Sequence, residues 1–323
     1  MKAIVQTEYG SADVLRLEDV EKPVVPDNGV LVRVRAASVH AGDWHLMRGT
    51  PFLIRFIFGG LLKPKIKILG TDAAGRVEAV GKDATQFKPG DEVFGDLSEC
   101  GFGAFAEYVC VPETALALKP ANLTFEEAAT VPVSALAALQ GLRDVGQIQP
   151  GQKVSIVGAS GGVGSFAVQI AKAYGAEVTG VCSTSKVEMV RAIGADHIID
   201  YTQDDAIQKG QQYDLILDAA AYRSVFDYLP ALTSRGTYVL VGGSTARLFL
   251  VMLFGSWISK ISRRNVKFQA SKPNQADLVI LRDLIEAGKI TPFIDRRYSL
   301  SEVPAAIRHL EQRQVRGKVS IAV

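Results

Sequence analysis

Cysteine is scarce in this chain of 323 residues, which holds only Cys100, Cys110 and Cys182. Three scattered thiols exclude a disulfide framework and a four-cysteine zinc lobe. A reducing compartment, cytoplasmic or equivalent, is the expected setting. No apolar run reaches the roughly 18 residues that a bilayer-spanning helix needs. The opening residues MKAIVQTEYG alternate as a strand does and lack the apolar core of a secretion signal. An excess of one charge is missing too. The net charge is +2 at pH 7, which provides no field for nucleic acid. There is no internal repeat and no low-complexity tail. Apolar residues are plentiful, at 48% against 22% charged. That is a globular balance, and the length suits two cores better than one.

The chain changes style near Pro120. Before it, short strand-like runs such as Val30–Val34 and Gly75–Val80 alternate with turn material such as Asp27-Asn28-Gly29 and Lys88-Pro89-Gly90-Asp91. This part reads as a β-rich module. After it, Thr124 and Glu127 have the spacing of a helix-opening capping box. A helix over 135–145 closed by Gly146 is expected next. Strands and helices then alternate to about residue 241, which predicts a doubly wound parallel sheet. Helices are also expected near 274–287 and 301–313. The final strand-like segment, Gly317–Val323, is expected to return to the first module.

The most informative stretch is VSIVGASGGVGSFAVQIAK, from Val154 to Lys172. A buried strand, a turn with Ser160, Gly161, Gly162, Val163 and Gly164, and an amphipathic helix follow one another. This frame lets the helix N-terminus hold a pyrophosphate on its unpaired amides. Where NAD enzymes carry an acidic residue after the second strand, this chain reads Cys182-Ser183-Thr184-Ser185-Lys186. Ser183 and Lys186 suit a 2′-phosphate, so NADP is expected over NAD. The competing reading is a serine-rich cap with Lys186 on a solvated face. Tyr201 either flanks the adenine or phosphate or is a half-exposed ring. Gly242 and Gly243 close another strand at the same sheet edge, where the nicotinamide half could pass near the backbone.

Four motifs stand in order: Gly70–Val77 (GTDAAGRV), Lys88–Val93 (KPGDEV), Gly158–Gly164 (GASGGVG) and Gly236–Gly242 (GTYVLVG). With them the chain resembles the medium-chain dehydrogenase/reductase superfamily, in its zinc-free quinone oxidoreductase branch. Within that branch it is most similar to the homologues of chloroplast envelopes and related bacterial chains. The resemblance implies an α/β fold: a GroES-like β-rich catalytic domain (1–122, with 292–323 returning to it) and a Rossmann NADP-binding domain (123–291). It implies NADPH-dependent reduction of quinones or α,β-unsaturated carbonyls, a homodimer, and a nicotinamide faced by Val133 and Ser134. It equates His40, Thr71-Asp72 and Ser134 with the catalytic zinc ligands of zinc-dependent relatives. One histidine and no cysteine cannot build that tetrahedral site, so no metal is expected.

Conjugate reduction needs only a hydrogen-bond donor at the carbonyl oxygen where charge gathers. His40 is the candidate for that role or for a bond to the coenzyme ribose. Asp43 is the candidate for orienting its loop. Plain loop structure is the competing reading for both. Lys318 either reaches the coenzyme or is an ordinary surface lysine. Two apolar segments with basic flanks, 51–62 before Lys63, Lys65 and Lys67, and 248–258 before Lys260, Arg263, Arg264 and Lys267, leave three readings open. They are core or dimer interface, an apolar substrate mouth, or peripheral membrane attachment. The rival functions are an enoyl-thioester or alkenal reductase, a non-catalytic NADPH-binding sensor or structural protein, and a membrane-surface interaction module.

Overall fold

The computed structural model describes residues 1–58, 60–204 and 210–323. Gly59 of the first apolar segment lies outside them. The strands are β1 (Lys2–Val5), β2 (Arg16–Asp19), β3 (Gly29–Val39), β4 (Asp72–Val80), β5 (Glu92–Asp96), β6 (Tyr108–Pro112), β7 (Leu116–Leu118), β8 (Lys153–Val157), β9 (Glu177–Cys182), β10 (His197–Asp200), β11 (Tyr213–Asp218), β12 (Leu232–Leu240), β13 (Asn265–Phe268), β14 (Ile294–Ser299) and β15 (Lys318–Ala322). The helices are α1 (Ala41–Arg48), α2 (Leu53–Ile57), α3 (Phe125–Ala128), α4 (Pro132–Gln140), α5 (Gly162–Ala173), α6 (Val187–Ala192), α7 (Val225–Tyr228), α8 (Thr245–Ser262), α9 (Gln275–Glu286) and α10 (Val303–Glu311).

Two compact units emerge. The first holds residues 1–133, 273–286 and 292–323, and the second 134–272 and 287–291. Relative to the expected boundaries, segments 123–133 and 273–286 go with the first unit. Side-chain contacts explain this. Ser320 donates to the Glu126 carbonyl at 3.2 Å, and Gln275 donates to the Leu116 carbonyl at 2.8 Å. Asn122 also donates to the Ile285 carbonyl at 2.9 Å.

The first unit is a β-rich sheet in the order β14-β15-β3-β4-β5-β7, with β6 pairing β3. The C-terminal β15 runs antiparallel to β3, pairing Val319 with Val39 and Ser320 with Ser38. Alternation along β3 and β4 turns Val30, Val32, Val34 and Val77 inward to a core with Leu69, Met47, Phe105 and Ile321. Thr124 caps α3, accepting from the Glu127 amide at 3.3 Å while Glu127 Oε2 accepts from the Thr124 amide at 2.9 Å.

The second unit is a parallel sheet in the order β10-β9-β8-β11-β12-β13. By order of appearance that is third, second, first, fourth, fifth, sixth, the doubly wound Rossmann arrangement. Its central strands β8, β9 and β11 are mostly buried, as parallel strands covered on both faces are. The helix expected over 135–145 is α over 132–140 and π over 141–145, where the Gly146 amide reaches back to the Gly141 carbonyl at 2.8 Å. Between β11 and β12 the chain forms only α7 and a 3-10 turn, because Pro230 and the onset of β12 leave no room for more.

Candidate active site

In the first unit, strand register gathers polar groups. Antiparallel pairing sets Ser38, at the end of β3, opposite Asp72, at the start of β4. It also sets Asp72 opposite Asp96, at the end of β5. Asp72 is fully buried and Lys318 is 3% exposed. Asp72 Oδ2 accepts from Ser38 Oγ at 2.5 Å and from Lys318 Nζ at 3.0 Å, and its Oδ1 accepts from the Val133 amide at 2.8 Å. Such a charge survives in the interior only when it is both paired and hydrogen-bonded.

His40 caps the N-terminus of α1. Its Nδ1 accepts from the Gly42 amide at 2.8 Å. With Nδ1 accepting, a neutral ring carries its proton on Nε2. That Nε2–H donates to Thr71 Oγ1. Asp43 closes the capping box, its Oδ2 accepting from the His40 amide at 2.8 Å. Its Oδ1 is buried without a partner among the described residues. Burial pushes the Asp43 carboxyl up against the opposing influence of His40. Burial first, and the Asp72 carboxylate second, push Asp96 up to about 6. Asp96 Oδ1 accepts from the Ser98 amide at 2.9 Å.

In the second unit, the turn after β8 opens directly into α5. Gly161 is the N-cap, and no side chain caps the helix, so first-turn amides remain for an anion. Gly158 has φ +79, and a Cβ on Gly164 would stand 2.0 Å from the Gly158 carbonyl oxygen. The turn closes this tightly only because Gly164 has no side chain. Ser160 is buried in the turn, and Val163 stands in the first turn of α5. Ser183 is the N-cap of a 3-10 turn, Thr184–Lys186, that follows β9.

The segment after β9 carries no acid of its own, but parallel register pairs Cys182 with Asp200 at the end of β10. Asp200 is turned onto its own loops. Its Oδ2 accepts from Thr184 Oγ1 at 2.5 Å and its Oδ1 from Thr202 Oγ1 at 2.7 Å. Burial, then Asp200, pushes the Cys182 thiol up to about 11. Tyr201 is 38% exposed, its ring 5.4 Å from that of Tyr222.

At the end of β11, buried Asp218 accepts from the Ala220 and Ala221 amides at 3.0 and 2.7 Å and from the Tyr238 hydroxyl at 2.8 Å. It fixes the loop on which Gly243 rests. Gly243 has φ +103, and a Cβ there would stand 2.2 Å from the Ala220 carbonyl oxygen.

Sequence reasoning singled out His40, Asp43, Val133 and Lys318 separately. Hydrogen bonds join Lys318 and Val133 through Asp72, and join His40 to Asp43 and to Thr71, the chain neighbour of Asp72; Asp72 entered the sequence reading only as a zinc-ligand position and Asp96 not at all. The available signal was an acid ending the apolar run Val93-Phe94-Gly95.

Two family profiles match the chain. One is described as an alcohol dehydrogenase GroES-like domain, over residues 26–121, and the other as a zinc-binding dehydrogenase, over 193–321. The mitochondrial NAD(P)H oxidoreductase of Bos taurus is 34% identical, over 100% of this chain and 89% of its own. The chloroplastic NADPH-dependent alkenal/one oxidoreductase of Arabidopsis thaliana is 32% identical, over 99% and 79%. Among solved structures, the quinone oxidoreductase from Coxiella burnetii matches with a TM-score of 0.89 and 30% identity, over 100% of this chain and 99% of that one. The chain belongs to the medium-chain dehydrogenase/reductase superfamily.

Some members of this superfamily hold zinc, and the donor set here does not suit it. Asp72 is already neutralised by Lys318, and His40 spends one ring nitrogen on the Gly42 amide. Tetrahedral zinc takes thiolate or imidazole donors. Cys100 and Cys110 are pushed up by burial, away from thiolate character. The family's coenzyme does fit. The glycine turn, closed by the approach of Gly164 to the Gly158 carbonyl, leaves uncapped first-turn amides as an anion cradle, on a sheet of the matching strand order.

Proposed function

We propose that this chain is a metal-independent, NADPH-dependent reductase of quinones and α,β-unsaturated carbonyls. The observation that carries the reading is the uncapped α5 N-terminus behind the Gly158–Gly164 turn, on a sheet of Rossmann order. The relatives' names support the acceptor class and the coenzyme. The first-turn amides of Gly162, Val163 and Gly164, with Ser160 and Gly161 shaping the turn, hold the pyrophosphate. Ser183 and Lys186 take the 2′-phosphate, with Tyr201 alongside. Gly242 and Gly243 let the nicotinamide half pass near the backbone of the second unit. Bound NADPH supplies a hydride to the β-carbon of the acceptor.

His40 Nε2–H, held in the free protein by Thr71, donates to the carbonyl oxygen as charge gathers there. Asp43 keeps the His40 ring at the head of α1. Lys318 acts at one remove, by holding Asp72 and through it the Val133 amide.

The test is oxidation of NADPH and of NADH against quinones and enones of graded alkyl length, with and without a strong chelator. The expected result is turnover with both acceptor classes, NADPH preferred by about tenfold or more, better rates with longer tails, and no effect of chelation. Tight NADPH binding without turnover of any acceptor would favour a sensor instead. Loss of activity on chelation would refute the metal-free mechanism.

A further inference from the structure

Helix α8 is apolar on the side that should face water. Its inner face is fixed by Val251 and Ile258, packed with Val266 of β13. Gly255 lets the helix approach, since a Cβ there would stand 3.1 Å from the Val266 carbonyl oxygen. Ser259 locks the contact, accepting from the Val266 amide and donating to the Gly255 carbonyl, both at 2.8 Å. The outer face then presents Met252, Leu253, Phe254, Trp257 and Ile261, between 49% and 67% exposed. A surface helix ordinarily turns polar residues outward. A contiguous apolar patch of this kind marks an interaction surface.

The chain segment that carries it is one-sided in charge. Residues 228–272 contain Arg235, Arg247, Lys260, Arg263, Arg264, Lys267 and Lys272, and no Asp or Glu. Lys260 and Arg263 are exposed at the C-terminal end of α8. A second copy of the chain would bring the same carboxylate-free segment to the contact, and its cations would face no anion from that segment. An anionic lipid surface satisfies both features. The apolar face, with its exposed tryptophan, enters the acyl boundary, and the basic end meets headgroup phosphates. Among the described residues no helix is long and apolar enough to cross a membrane, so α8 lies along the surface.

We infer that the outer face of α8 docks this protein peripherally on anionic membranes. The inference is independent of the reductase reading.

The test is co-sedimentation of the full chain with vesicles of phosphatidylcholine alone and of phosphatidylcholine with roughly a third phosphatidylglycerol. A Trp44→Phe background leaves Trp257 as the sole tryptophan reporter. We expect about tenfold or greater partitioning onto the anionic vesicles, reversal by molar salt, and a blue shift of Trp257 emission. Leu253→Glu/Trp257→Glu should abolish sedimentation while NADPH affinity stays unchanged. Lys260→Glu/Arg263→Glu should remove the preference for anionic lipid. Three results would overturn the inference: equal or absent binding to both vesicles, with no shift in Trp257 emission; undiminished binding by the glutamate variants; or a concentration-dependent oligomer that the Leu253/Trp257 variant dissolves.

Discussion

Replacing Lys318 by methionine strands the Asp72 carboxylate in the interior. Asp72 is fully buried and Lys318 is 3% exposed, so water cannot take over the role of the ammonium. The bonds from Ser38 Oγ and the Val133 amide remain, but both are neutral donors. Breaking a buried pair on one side costs about 3–5 kcal/mol. The loss for Lys318→Met should therefore be about 3–5 kcal/mol. The double variant Asp72→Asn/Lys318→Met buries no charge and should recover all but about 1–2 kcal/mol of the loss. Urea unfolding followed by circular dichroism, on wild type, both single variants and the double, gives the cycle. A loss for Lys318→Met below about 1 kcal/mol would refute the reasoning.

Asp96, raised to about 6 in the folded chain, costs stability as pH climbs from about 4 through about 6, and the cost is complete above that. Asp96→Asn should therefore be more stable than wild type near pH 8 by up to about 3 kcal/mol, with the advantage gone near pH 4, as read by melting temperature across pH. Gly164→Val forces a side chain against the Gly158 carbonyl oxygen. It should weaken NADPH binding at least about tenfold by calorimetric titration, and unchanged affinity would count against the cradle. His40→Ala should lower kcat/KM for enones about 10–100-fold while leaving NADPH affinity intact. Unaltered steady-state constants would remove His40 from the reaction. Lys186→Ala should raise the KM for NADPH about tenfold and leave that for NADH alone, a split that a merely structural lysine would not produce.

What the sequence displayed plainly was local. The turn after β8 is encoded by glycines within seven residues of one another, and the α3 cap by Thr124 and Glu127. Such features depend on neighbours along the chain, so their spacing announces them. The polar network depends on register between distant strands. Lys318 and Asp72 are 246 residues apart, and nothing near either shows that they meet. Asp200 escaped notice in the same way, because it reaches Thr184 only through parallel pairing of β9 with β10. Segments 123–133 and 273–286 have the style of the α/β part but the contacts of the β-rich part. Composition reports style, and only side-chain bonds such as that of Gln275 to Leu116 report allegiance. The apolar stretch of α8 was conspicuous, yet a run of hydrophobic residues does not reveal which side of a helix packs. That was decided by Gly255 and Ser259 meeting β13.

The Asp72–Lys318 pair also constrains which reduction this chain can perform. A carboxylate already matched by an internal ammonium has no net charge left to attract a Lewis acid, and moving Lys318 aside would bury an unpaired cation in turn. Charge that develops on a substrate oxygen must then be met by neutral donors. In the proposed mechanism that donor is the His40 Nε2–H, whose tautomer is fixed from the other side of the ring by the Gly42 amide. A single neutral hydrogen bond contributes little toward a localised alkoxide, which metal-dependent dehydrogenases stabilise with a divalent cation. An enolate spreads the same charge over oxygen and carbon, and a quinone spreads it over a ring. For those acceptors one well-placed donor suffices. We propose that the same network, chemically awkward for a zinc centre, favours conjugated carbonyls over simple alcohols.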